Sequence, residues 1–145
     1  MTLTAVSKQQ PDDRVAAILA EGQTIFGENR VQEAQGRWTE RRAEMGERLE
    51  LRLIGPLQSN KIRRAIAAAD RIDTVDRMEL LAKIVEVSTA APIQISVALQ
   101  VNTDADPAKA GFAPEALRAA LPEISRLLRG SNVSIDGLMT IGRLT

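Results

Sequence analysis

Six short runs of apolar and β-branched residues recur along this chain, and each gap between them has helical periodicity or turn residues. The runs are Leu3 to Lys8, Thr24 to Gly27, Leu51 to Ile54, Arg71 to Val75, Ile93 to Val101 and Val133 to Ile141. Strands alternating with helices at this spacing pair in parallel through right-handed crossovers, because a tight hairpin cannot join parallel neighbours. The pattern predicts an α/β fold of six parallel strands with five helical segments packed outside. No low-complexity tract, internal repeat or linker interrupts it, so residues 1–145 read as a single domain.

The gaps carry helix signals. Pro11-Asp12-Asp13 opens a helix that buries Val15, Ala16, Ile18 and Leu19 and stops at Gly22. Asn29 precedes the stripe of Val31, Ala34 and Trp38, where it is either an N-cap or a side chain facing a ligand. Ser59 is a candidate cap for Ile62, Ala65, Ile66 and Ala69, and Asp76 with Glu79 resembles a capping box ahead of Leu80, Leu81, Ile84 and Val85. Pro114 starts the last helix, which Pro122 is expected to kink or divide. In the fifth run Ile93, Ile95, Val97, Leu99 and Val101 alternate with Gln94, Ser96, Ala98, Gln100 and Asn102. Either the apolar set packs on helices while Gln100 and Asn102 approach the mouth of an interior, or this is an edge strand facing water.

What is missing narrows the chemistry. Lysine plus arginine equals aspartate plus glutamate at 19 each, so no net basic field favours nucleic acid or an anionic membrane. No apolar run is long enough for a membrane span, and Met1 leads directly into a strand, which predicts a cytoplasmic protein. Cysteine, histidine and tyrosine are all absent. Thiol nucleophiles, Ser-His-Asp triads and the common zinc sites are thereby excluded, and lysine becomes the leading agent for covalent chemistry.

Lys8 is the lysine placed for it. It ends the first run, and the carboxyl ends of parallel strands are where α/β folds bind ligands. A lysine held there against an apolar floor has its pKa lowered by desolvation, and the free amine can attack a carbonyl to form a Schiff base. The competing reading is an ordinary surface lysine at a strand end.

Four segments together resemble a known family: Val6-Ser7-Lys8, Phe26 to Glu33 (FGENRVQE), Ile54 to Lys61 (IGPLQSNK) and Gly137 to Ile141 (GLMTI). On these the chain resembles the pyridoxal phosphate homeostasis proteins of the YggS/PROSC type, from about Leu3 to Ile141. The resemblance implies a TIM-type (β/α) barrel of the alanine-racemase N-terminal kind. It also implies pyridoxal 5′-phosphate held as a Schiff base on Lys8, with Asn29 beside the ring. The resemblance further implies a role in buffering the cofactor and delivering it to apo enzymes, with no established turnover.

Three departures accompany the resemblance. The helix that precedes the lysine strand in the family is missing, and Leu51-Arg52 stands where members usually have Trp-His. The family also continues past Ile141 into two further strands that hold the phosphate and the pyridine nitrogen. The expectation is an incomplete barrel of about six strands out of eight, with weakened hold on the phosphate and open edges that favour self-association. The alternatives are a remnant that no longer binds cofactor and an amino-acid racemase. The racemase lacks a tyrosine, histidine or cysteine as its second base.

Overall fold

The computed structural model describes residues 1–143. Its elements, in chain order, are β1 (Ala5–Val6), α1 (Asp12–Ala20), β2 (Ile25–Glu28), α2 (Val31–Met45), β3 (Glu50–Leu53), α3 (Ile62–Ala68), β4 (Arg71–Val75), α4 (Met78–Ala90), β5 (Ile95–Gln100), α5 (Pro114–Leu128) and β6 (Val133–Met139). Short 3-10 turns cover Gly46–Arg48 and Ser59–Lys61. The six strands form one sheet in the order β1-β2-β3-β4-β5-β6, and every pairing is parallel. Sequential order without a reversal is how the wall of a (β/α) barrel is built, so the expected partial barrel is found.

Strand alternation separates two faces. Leu53, Ile72 and Val97 occupy one continuous row of the register and are buried against the helices. With Phe26, Leu51, Ile95 and Leu99 they meet Trp38, Ile66, Leu80, Leu81, Ile84 and Ile124 in a single core. Phe26 packs on Trp38 with ring centroids 4.6 Å apart. The opposite face is polar: Arg52, Arg71, Ser96 and Ser134 are register partners in turn across β3 to β6. β5 lies between β4 and β6, so its alternation separates helix side from interior and is not that of an edge strand.

Several local expectations are corrected. The first run is a strand of only two residues, and Leu3 and Val6 are 74% and 49% exposed where a buried strand was expected. The reason is that β1 pairs only with β2 and is an edge of the sheet. Asn29, Ser59 and Asp76 cap nothing, because the helices begin one or two residues later, with Arg30, Lys61 and Arg77 at the N-cap positions and no side-chain cap bonds. Pro122 does not divide α5, which runs on as one helix.

Candidate functional site

The carboxyl end of β1 turns sharply at Ser7 to Gln10. The Gln10 amide donates to the Ser7 carbonyl at 3.1 Å, and Gln9 takes a left-handed φ of 57°, a conformation uncommon for a non-glycine residue. The surroundings are specific. The Gln9 amide donates to Glu33 Oε2 at 3.2 Å, and the Arg37 guanidinium donates to the carbonyls of both Ser7 and Gln10. Lys8 projects from this turn. It is exposed, and its amine has no hydrogen bond or ion pair among the described residues. The apolar floor expected beneath it is therefore missing, since Val6, its neighbour on the same face, is itself half exposed on the sheet edge.

Asn29 follows β2. The register pairs Val6 with Gly27, and carrying it two residues further sets Lys8 beside Asn29 at adjoining strand ends. The Ser7 amide bond to the Gly27 carbonyl, at 3.0 Å, holds that alignment. Asn29 is half-buried, and its side-chain amide makes no hydrogen bond among the described residues. It lines a cleft of about 530 Å³ that also includes Arg30, Gln32, Gln58 and Lys61. The two longest sequence motifs, from Phe26 and from Ile54, thus converge on one place.

Behind this edge lies a group that the sequence reading missed. Glu28 is 0% exposed, yet it accepts from Ser7 Oγ at 2.6 Å and from Trp38 Nε1 at 3.1 Å, with Arg37 Nη1 at 3.7 Å. Its Oε2 has no partner. The signal was available: Glu28 shares the parity of Phe26, so a carboxylate falls on the greasy side of β2 and must find donors there.

Gln100 and Asn102 do reach the mouth, but they serve the loop that follows β5. Gln100 Nε2 donates to Ala110 O at 3.4 Å, and Asn102 Nδ2 donates to Asp106 O at 2.7 Å. With Ile54, Thr74, Asp76 and Lys109 they border a second cleft of about 340 Å³. Lys109 donates to Asp104 at 2.7 Å, and that hydrogen bond, with its charge, holds the Asp104 carboxyl below the usual carboxylate range. Arg52, at the position where the family usually has histidine, faces the interior, bonds Glu50 at 3.1 Å and leaves its own Nε buried without a partner. Beside it Arg71 bonds Asp73 at 2.5 Å and pairs with Asp136. Burial opposes the charge on Arg71, but the hydrogen bond to Asp73 and the attraction of Asp73, Asp136 and Glu50 outweigh it and raise the guanidinium pKa. Among the described residues no group of three acids could hold a metal ion, and no helix is long and apolar enough to cross a membrane.

Residues 2–144 match the family model described as "Alanine racemase, N-terminal domain". The pyridoxal phosphate homeostasis protein of Vibrio cholerae is 35% identical over 142 residues, covering 96% of this chain and 58% of its own length. PipY of Synechococcus elongatus, solved with pyridoxal phosphate bound, matches at a TM-score of 0.86 and 38% identity. The match covers all of this chain and 65% of PipY. An alanine racemase of Clostridium difficile shares the fold at a TM-score of 0.73 and 18% identity. The chain spans 58% of the Vibrio cholerae homeostasis protein and 65% of PipY.

Proposed function

The chain belongs to the alanine racemase N-terminal domain family, and on that premise we propose that it binds pyridoxal 5′-phosphate as a cofactor-homeostasis protein, through Lys8 and beside Asn29. The observation that carries the reading is the pairing of an unengaged lysine and an unengaged amide at adjoining strand ends. The donor set fits an aromatic aldehyde. Lys8 supplies the amine and Asn29 a hydrogen-bonding edge. Gly27, the register partner of Val6, is required by packing, since a β-carbon there would meet Ile54 Cδ1 at 3.0 Å and Thr4 Cγ2 at 3.3 Å. When bound, the cofactor would supply an electrophilic aldehyde carbon, which the Lys8 amine would hold as a Schiff base with loss of water.

We infer storage and delivery to apo enzymes in the cytoplasm as the role. The chain has no tyrosine, histidine or cysteine to act as a second base opposite Lys8, which argues against a racemase. Copies are proposed to associate through the sheet edges, where Leu3 and Val6 on one side and Leu138 on the other are exposed.

Incubation with pyridoxal phosphate, borohydride reduction and peptide mapping tests the reading. Modification is expected at Lys8 and is lost in Lys8→Ala. Label spread evenly over the lysines, or gathered on Lys61, would overturn it. Racemisation of alanine above a no-protein blank would replace the storage role with the racemase.

A further inference from the structure

We propose that Arg37, Glu28 and Glu33 form a clamp that fixes the backbone of the Lys8 turn, and so act as positioning residues for the lysine. The proposal rests on the reading that Lys8 takes up the cofactor. It assigns a positioning task to the two acids of the Phe26 to Glu33 motif, Glu28 and Glu33.

The turn is held at both of its ends and at the amide of Gln9. Ser7 is fixed from both sides, its hydroxyl on Glu28 and its carbonyl on Arg37. The Gln9 amide is fixed on Glu33, and the Gln10 carbonyl on Arg37. The guanidinium therefore spans the turn from Ser7 to Gln10, with Lys8 and Gln9 between its two contacts. Two parallel donors on one planar group are what arginine offers and lysine does not. Arg37 is in turn held by Glu28 at 3.7 Å, and Glu28 by the indole of Trp38, so the clamp is anchored in the core of α2. The strained φ of Gln9 fits this account, because the tethers impose a conformation that glutamine would otherwise leave. None of the tethers touches the Lys8 side chain, so the backbone is rigid while the amine stays free.

The test compares the wild-type chain with Arg37→Lys and Glu33→Ala by two readouts. The first needs no cofactor: amide hydrogen exchange at Gln9 and Gln10 should rise at least tenfold in Arg37→Lys, and at Gln9 in Glu33→Ala, with the thermal melt still cooperative. The second is pyridoxal phosphate labelling followed by reduction, in which the share of label on Lys8 should fall about tenfold in Arg37→Lys. Adding Gln9→Gly to Arg37→Lys should restore much of that share, because glycine takes the left-handed conformation without being held in it. A purely structural role for Arg37 would not be rescued at Gln9. Unchanged exchange and unchanged labelling in a folded Arg37→Lys chain would overturn the clamp. If Arg37→Lys loses its cooperative melt, Glu33→Ala decides the matter by exchange at Gln9 alone. If the wild type takes no label at Lys8, the cofactor reading fails, and the exchange data still decide whether the clamp exists.

Discussion

Gly55 presses so closely on Asn29 that a β-carbon at position 55 would lie 2.4 Å from the Asn29 carbonyl oxygen. The contact is backbone against backbone, so no flexible side chain can give way. It fixes the end of β3 against the residue proposed to face the cofactor. Gly55→Ala is expected to cost about 1–3 kcal/mol through overpacking and to displace Asn29. A lowered Tm together with weaker pyridoxal phosphate labelling would bear this out, whereas an alanine variant with wild-type melting and labelling would show that the approach is not tight.

Asp73 stands between two arginines on the interior face, 2.5 Å from Arg71 and 4.0 Å from Arg52. Removing it brings two like charges to face each other, each keeping one other carboxylate, Asp136 for Arg71 and Glu50 for Arg52. Asp73→Ala should therefore destabilise by about 1–3 kcal/mol, the loss of a charge-assisted hydrogen bond. Denaturant unfolding measures it. The double variant Asp73→Ala with Arg71→Met should recover part of the loss, and failure to recover would mean that the two residues do not act as a pair.

Pro122 occupies the exposed side of α5, eight residues beyond the helix-starting Pro114. An interior proline forfeits one helical hydrogen bond and crowds the preceding turn, yet the helix runs through it. Leu117 and Ile124, buried on either side of it, hold α5 to the sheet and outweigh the local penalty. Pro122→Ala should raise stability by about 1–3 kcal/mol. A Tm at or below that of the parent would indicate that the proline conformation is already accommodated at no cost.

Much of this architecture could be read in the residues, and what escaped had physical reasons. Parallel order and the two faces of β5 followed from periodicity, because burial on one side of a strand leaves a period-two trace. Cap assignments at Asn29, Ser59 and Asp76 failed, because a side chain competent to cap still has to stand at the right residue, and tertiary packing set the helix starts. Lys8 was placed at its strand end correctly, but its apolar floor was inferred from composition, which cannot tell an edge strand from an inner one. The Glu28 and Arg37 cluster was visible only as a carboxylate on the apolar parity of β2 and an arginine next to a buried tryptophan. Long-range partners of that kind become legible when each buried charge is made to account for its donors.

Asp12 and Asp104 give the chain an acid-sensitive contribution of defined sign. The hydrogen bond from Arg41, reinforced by the charges of Arg41 and Arg37, holds the Asp12 carboxyl below its ordinary value of 3.8. Lys109, joined by Arg143, does the same for Asp104. A carboxyl whose folded pKa is depressed stabilises the fold above its unfolded pKa and loses that contribution as pH falls through the lower folded value. The loss therefore begins near pH 3.8 and is completed below it, leaving neutral pH unaffected. Arg71, raised in the fold, has the opposite sign and contributes fully throughout the acid range, so it adds no slope there. Thermal melts between pH 6 and 3 in Asp12→Asn and Asp104→Asn should show a smaller fall in Tm than the parent. The Asp104 variant should loosen mainly the Thr103 to Phe112 loop, since Asp104 and Lys109 are bonded within it. Parallel melting profiles for parent and variants across that range would remove both ion pairs from the account of acid stability.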